Sequence, residues 1–152
     1  NRNLIFAFIL LAALCTVNAV PHVLLKRGVS FEPCPIPDVE QITIKISPND
    51  PPTSNQPENF SVSGTLKNNE ITADKTELDI KYIDLTSQQP IGNPYTQKFT
   101  QSVAAGNPFS IEADSVPTPQ LPDKYSIFII VGDPTDSGSV SPYGCIVASV
   151  GI

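Results

Sequence analysis

Proline recurs along the whole chain, and this feature restricts the fold more than any other. The sequence has 16 prolines among 152 residues, with close groups at positions 33–37, 51–52 and 117–122. Because an interior proline removes a backbone donor and clashes with the preceding helical turn, long helices have little room between these groups. The intervening segments are therefore expected to form short strands and loops.

Apolar and polar residues alternate in these segments, which is the period-two pattern of β-strands. The segment 41–47 is the clearest case, because Ile42, Ile44 and Ile46 share one face. The segment 124–132 is apolar on both faces, as expected for a central strand that is covered on both sides. About seven strands occur at the spacing typical of antiparallel sandwiches. The predicted fold class is all-β, an immunoglobulin-like antiparallel β-sandwich.

One segment fits a helix as well as a strand. The range 71–83 contains few helix breakers, so a short helix beginning at Thr72 is an alternative. Its later residues are β-branched or aromatic and alternate cleanly, which favours a strand. Ile83 and Leu85 fall out of phase with this strand, and a β-bulge or a change of sheet would explain the slip.

Residues 1–27 have the pattern of segments that are removed during secretion. Residues 1–19 combine a basic residue, an apolar run and small residues, which indicates a signal peptide. The apolar run is shorter than the ~20 residues that a membrane-spanning helix needs. Residues 20–27 end in a dibasic pair and are predicted to be a pro-segment. We therefore expect a single secreted domain at 28–152, located outside the cell or in the secretory-vacuolar lumen, against the alternative of a cytosolic chain.

Two cysteines remain in the expected mature chain, Cys34 near its start and Cys145 near its end. In an oxidising compartment such a pair forms one disulfide, which would tie the first strand to the last; two free thiols are the alternative. The sequon that begins at Asn59 makes this residue a glycosylation candidate.

The charge balance argues against two classes of partner. The chain has a formal net charge of -6, and three of its basic residues lie in the segments expected to be removed. Nucleic-acid binding needs clustered Lys and Arg, so no nucleic-acid partner is expected. The same acidity argues against a polybasic grip on anionic membranes. Membrane contact is expected to be transient and led by an apolar rim.

Catalytic and metal-binding residues are scarce in the expected mature chain. The single histidine, His22, lies in the predicted pro-segment. Nucleophilic triads and zinc sites therefore lack their imidazole. Carboxylates such as Asp79 and Asp84 are expected on the solvated face of a strand, where charges are ordinary. We expect that the protein is not an enzyme and that it holds no metal or cofactor.

Four motifs follow one another in a recognisable order. Cys34 precedes the first strand, and residues 46–64 contain a strand, a Pro-rich turn and a second strand that ends in Ser-Gly. Residues 121–134 begin a long strand with Pro-x-x-Tyr, and Cys145 closes the series. This arrangement resembles the ML lipid-recognition domain family, which includes a lysosomal cholesterol-transfer protein, mite allergens and secreted fungal phospholipid transfer proteins. The family usually has more cysteines than this chain retains.

The resemblance implies two antiparallel sheets with lipid tails between them and the head group at an open edge. The implied function is non-covalent binding and intermembrane transfer of phosphatidylglycerol, phosphatidylinositol or a sterol, by a monomer. The same inward side chains are equally compatible with a closed core. A secreted immunoglobulin-like interaction module without a ligand is therefore the alternative.

The candidate lipid-contacting residues are the large apolar and aromatic side chains on the inward phase of the predicted strands, and plain core packing explains any one of them equally well. They are Ile42, Ile44, Ile46, Phe60, Val62, Leu66, Ile80, Tyr82, Phe99, Phe109, Ile111, Ile127, Ile129 and Val131. The head-group candidates carry an ammonium or a hydroxyl group and are Lys81, Lys98 and Tyr125, together with the hydroxyl of Tyr82.

Overall fold

The structure is a computed structural model that describes residues 29–136 and 138–152. The predicted signal peptide and pro-segment lie outside the described residues. Nine strands occur in the described part of the chain, without a helix. They are β1 (Phe31–Pro33), β2 (Glu40–Gln41), β3 (Thr43–Ser47), β4 (Pro57–Thr65), β5 (Glu77–Asp84), β6 (Pro90–Lys98), β7 (Pro108–Pro117), β8 (Tyr125–Pro134) and β9 (Val140–Val150).

The strands form two sheets. The larger sheet has the order β1-β9-β8-β5-β6, with β2 also paired to β9, and the smaller sheet has the order β3-β4-β7. All pairs are antiparallel except the two-residue pair of β2 with β9. The predicted all-β sandwich is therefore confirmed. The strand number exceeds the prediction because β1 and β2 are too short for an alternating pattern to mark them.

The inward faces of both sheets form one hydrophobic core. Every lipid-contact candidate named above belongs to this core or packs directly against it. The core also contains residues that the prediction omitted, among them Leu78 and Val116, which are fully buried. A lipid cavity between the sheets is not shown by the described residues, whose inward side chains are packed against one another.

A second, smaller cluster covers the outer face of the larger sheet. Cys34 and Cys145 form a disulfide with a Cα–Cα distance of 5.6 Å, as predicted. Ile130 of β8 packs beside them, together with Val39 and Phe128. The segment that contains Cys34 therefore shields β8 from its outer side. This confirms that the doubly apolar segment is a central strand covered on both faces.

The ambiguous segment at 71–83 is a turn followed by a strand, so the helix alternative is wrong. The turn closes where the backbone N–H of Thr76 donates to the carbonyl oxygen of Thr72 at 2.9 Å. β5 then pairs with β8 without a register shift. The expected irregularity lies in the partner strand β6, where Ile80 pairs with Tyr95 but Tyr82 pairs with Ile91.

Candidate functional site

The open rim of the sandwich lies between β6, an edge of the larger sheet, and β7, an edge of the smaller one. These two strands share no hydrogen-bonded ladder in the part of the chain that the structure describes. We call this rim the β6–β7 seam. Two clefts lie along it, with volumes of about 260 Å³ and about 320 Å³.

The first cleft, here the lysine cleft, lies where β6 ends and β7 begins. Its lining includes Lys98, Phe99, Phe109 and Ile111. The Phe99 and Phe109 rings meet edge to face, with their centroids 5.8 Å apart. The structure thus brings one predicted head-group residue, Lys98, together with three predicted lipid-contact residues. Lys98 is exposed at the rim.

The second cleft, here the proline cleft, lies at the opposite end of the seam. It is lined by Asn93, Pro94, Tyr95, Pro117, Thr118 and Pro119. None of these residues carries a formal charge, and the three prolines make a rigid apolar wall. The sequence patterns did not identify this cleft, because its two sides lie on different strands with no shared motif.

One side chain spans the seam between the two clefts. The side-chain amide of Gln97 on β6 donates to the backbone oxygen of Glu112 on β7 at 3.0 Å. The hydroxyl of Tyr95 donates to the Oε1 atom of Gln97 at 2.8 Å, which fixes the orientation of the amide. We call this contact the Gln97 bridge. It was missed because a single Gln on an edge strand carries no recognisable sequence signal.

Two hydroxyl groups beside the proline cleft lack hydrogen-bond partners. Thr118 lines the cleft and is only 5% exposed, and Tyr82 is only 4% exposed. Neither Thr118 Oγ1 nor the Tyr82 hydroxyl has a partner. Burial raises the pKa of Tyr82 to about 12, and the contact of its hydroxyl with that of Thr118 acts to lower the pKa. This contact does not have the geometry of a hydrogen bond. Paired buried polar groups are the rule, so two unpaired ones in one place are unusual.

Glu58 lies behind this pair and is 0% exposed. Its carboxylate accepts hydrogen bonds from the backbone N–H of Asn49 at 3.0 Å, from the side-chain amide of Asn49 at 2.9 Å and from the backbone N–H of Thr53 at 3.2 Å. Its negative charge also acts on Tyr82. Its position could have revealed it, because Glu58, Phe60 and Val62 occupy every second position of the strand and so share the inward face.

The other predicted head-group residues lie elsewhere. Alternation along β5 directs Lys81 to the outer face of the larger sheet, opposite to Ile80 and Tyr82. There its ammonium lies 3.5 Å from Asp79 Oδ2. Tyr125 is buried, with its ring centroid 6.2 Å from that of Tyr82, and burial raises its pKa.

The structure also gives the positions of Asp79, which was expected on a solvated face, and of Asn59, the glycosylation candidate. Asp79 is 4% exposed, so the expectation that it lies on a solvated face is wrong; burial raises its pKa. It is buried because the segment around Cys34 and the neighbouring strands leave little of this outer face open. Asn59 is exposed, and its Oδ1 atom accepts a hydrogen bond from the backbone N–H of Ser115 at 2.8 Å.

The described residues contain no group of three or more His, Cys, Asp or Glu side chains arranged to hold a metal ion. They also contain no helix with the length and apolar character needed to cross a membrane. The sequence matches no protein-family model, and no curated protein matches it.

Proposed function

We propose that this protein binds a lipid between its two sheets and carries it between membranes without covalent chemistry. The observation that carries the proposal is the β6–β7 seam. Core aromatic side chains reach this rim directly, and no backbone ladder closes it. The resemblance of the segment from Cys34 to Cys145 to the ML family supports the same function, with phosphatidylglycerol, phosphatidylinositol or a sterol as the cargo.

Separation of the sheets at the seam requires little hydrogen bonding to be broken. The Gln97 bridge is one neutral hydrogen bond, with a net contribution of about 1 kcal/mol. The linker 99–107 connects β6 to β7 at the lysine cleft, so the opposite end, at the proline cleft, has more freedom to open. On the far rim the chain passes directly from β2 to β3 through Ile42, which holds the sheets together there.

The energy available from a lipid is large compared with this bridge. Burying one methylene contributes ~0.8 kcal/mol, so an acyl chain of about sixteen carbons contributes roughly 12 kcal/mol. A ligand of this kind can offset both the lost bridge and the partial separation of the packed inward side chains. The packed core is then the ligand-free state of the carrier.

The packing of the core also favours a second candidate, a secreted interaction module that never opens. Such a module needs an exposed apolar patch for its partner. Among the described residues the exposed large hydrophobic side chains are Ile36 and Ile152. Two isolated side chains make a small patch, so we place this function second.

The decisive experiment is mass spectrometry of organic extracts from the mature protein, expressed through a secretory pathway so that Cys34 and Cys145 pair. A stoichiometric lipid in the extract supports the carrier and identifies its cargo. A clean extract from protein that also takes up no fluorescent phospholipid or sterol contradicts the carrier and favours the interaction module.

A further inference from the structure

The proline cleft has the features of a site for an uncharged oxygen-bearing group. Thr118 lines it, and the unpaired hydroxyls of Thr118 and Tyr82 are buried next to each other beneath its surface. Leaving two buried hydroxyls without partners costs free energy in the ligand-free protein. A ligand that supplies the missing partners recovers that cost on binding.

Both hydroxyls are held in place by the fold. The carbonyl oxygen of Thr118 accepts a hydrogen bond from the backbone N–H of Asn55 at 3.1 Å, directly after the last pair of β7 with β4. Tyr82 lies in β5, between β6 and β8, and its ring packs against Tyr125. The two hydroxyls themselves therefore need little ordering once the seam has opened to a ligand, which favours affinity.

The surroundings of the pair select against an anionic head group. The lining of the proline cleft is uncharged. The carboxylates that act on the two packed tyrosines are both negative, Glu58 on Tyr82 and Asp50 on Tyr125. A phosphate or carboxylate there would meet like charges in a partly desolvated site, which is unfavourable. A hydroxyl or carbonyl group carries no such penalty and can pair with both hydroxyls.

We propose that the proline cleft binds a neutral lipid by its single oxygen function, a hydroxyl or a carbonyl group, which hydrogen-bonds to Tyr82 and Thr118. This inference rests on the proposed lipid-carrier function and narrows its cargo to uncharged lipids. The apolar part of the ligand lies between the sheets, and the polar end remains at the free end of the seam.

The test uses four ligands with the same chain length: 1-dodecanol, methyl dodecanoate, dodecane and dodecanoate. Each is presented to the mature, disulfide-bonded protein in phosphatidylcholine vesicles, and the protein-bound ligand is measured by mass spectrometry after the vesicles are removed. The variants are Tyr82→Phe and Thr118→Val, which remove one hydroxyl each with little change in shape. Thr118→Ser keeps the hydroxyl, and Ser126→Ala removes a buried hydroxyl on the outer face of β8 as a control.

Uptake of dodecanol and methyl dodecanoate is expected to fall about tenfold in Tyr82→Phe and Thr118→Val, since a site built around hydrogen bonds discriminates strongly when one is lost. Dodecane uptake stays at the level of the unsubstituted protein, and Thr118→Ser and Ser126→Ala bind dodecanol normally. The melting temperature of the two hydroxyl-deleted variants is not expected to fall, because the deleted groups have no partners in the ligand-free protein.

The outcomes separate the two proposals. If none of the four ligands binds but the protein takes up fluorescent phospholipid, the carrier function stands and the neutral-lipid site is overturned; if the protein takes up no lipid of either kind, the carrier function itself is wrong. If all four bind and the hydroxyl deletions change nothing, the carrier function stands and the assignment of Tyr82 and Thr118 is overturned. If dodecanoate binds at least as tightly as dodecanol, the assignment of the cleft to uncharged lipids is also overturned.

Discussion

Glu58 illustrates how a single residue organises the Pro-rich turn between β3 and β4. Its carboxylate accepts every hydrogen bond that the turn directs inward from Asn49 and Thr53. No Lys or Arg side chain in the described residues forms an ion pair with it. The carboxylate is therefore stabilised by amide donors, and its removal leaves three of them without this acceptor.

We expect Glu58→Ala to lower the free energy of unfolding by about 3 kcal/mol, because it removes three hydrogen bonds and leaves a cavity at a fully buried position. Urea denaturation at neutral pH measures this change. The matched control is Glu112→Ala, since the Glu112 side chain is exposed and its Oε1 atom accepts one hydrogen bond, from Ser61. Equal effects of the two substitutions would contradict the structural role of Glu58.

Asp133 makes the free energy of unfolding depend on pH in the acid range. Burial acts to raise its pKa, but hydrogen bonds from Lys75, Thr76 and Tyr143, together with the charge of Lys75, lower the pKa below its ordinary value of 3.8. A carboxyl group whose pKa is lower in the folded state contributes stability above its ordinary pKa and loses it as the pH falls through the folded value.

The expected result is that Asp133→Asn is less stable than the unsubstituted protein at pH 7, and that the difference shrinks below about pH 4 as the native carboxylate is protonated. Urea denaturation of both proteins between pH 7 and pH 2 measures it. Lys75→Gln should move the transition to higher pH, because it removes the ion pair. A stability difference that stays constant between pH 7 and pH 2 would contradict a lowered pKa for Asp133.

The strand β6 determines how firmly the rim of the sandwich is closed. A bulge of the residues between Ile91 and Tyr95 interrupts its pairing with β5, and β6 has no ladder to β7. Among the described residues, the Gln97 bridge is the side-chain hydrogen bond that joins these two edge strands. Loss of this bridge should change the dynamics of the rim more than the stability of the fold.

Gln97→Ala is predicted to speed amide exchange in β6 and β7 by up to about tenfold, because one hydrogen bond of about 1 kcal/mol no longer opposes opening. Hydrogen-exchange mass spectrometry measures the change, and uptake of fluorescent lipid should accelerate in parallel. Gln101→Ala is the control, since Gln101 is exposed on the same lysine cleft but does not span the seam. Unchanged exchange in Gln97→Ala would show that the bridge does not restrain the rim.

At the scale of the whole molecule, the disulfide joins the two ends of the described chain. Cys34 and Cys145 are separated by 111 residues in sequence. Their bond holds the segment between β1 and β2 against the outer face of the larger sheet, in which both strands pair with β9. It lies on the opposite side of that sheet from the core, away from the seam.

Cys34→Ala combined with Cys145→Ala is predicted to lower the free energy of unfolding by roughly 4 kcal/mol, mainly because the unfolded chain regains its freedom. Thermal and urea unfolding of this variant measure the loss. Lipid uptake at temperatures where the variant is folded should persist, since the disulfide does not line the seam. Loss of uptake from a folded variant would show that the bridge also controls the rim.

The strand pattern was predictable because inward residues such as Ile42, Phe60 and Ile129 alternate with polar neighbours, and the disulfide followed from the number of cysteines. The strands β1 and β2 were not predictable, since two or three residues cannot display a period. Asp79 was misjudged because alternation reveals which face a residue occupies but not what covers that face. Tyr82 and Thr118 lie on separate strands, so only the folded chain brings their hydroxyls together.

The irregularity of β6 has a second effect, on association between copies of the protein. An edge strand with regular, unpaired N–H groups is a template on which another chain can add a strand. Pro90 and Pro94 remove two of these donors from β6, and the bulge between Ile91 and Tyr95 distorts the remainder. The two prolines and the bulge of β6 therefore also hinder the addition of a second chain at this edge, and with it fibre growth.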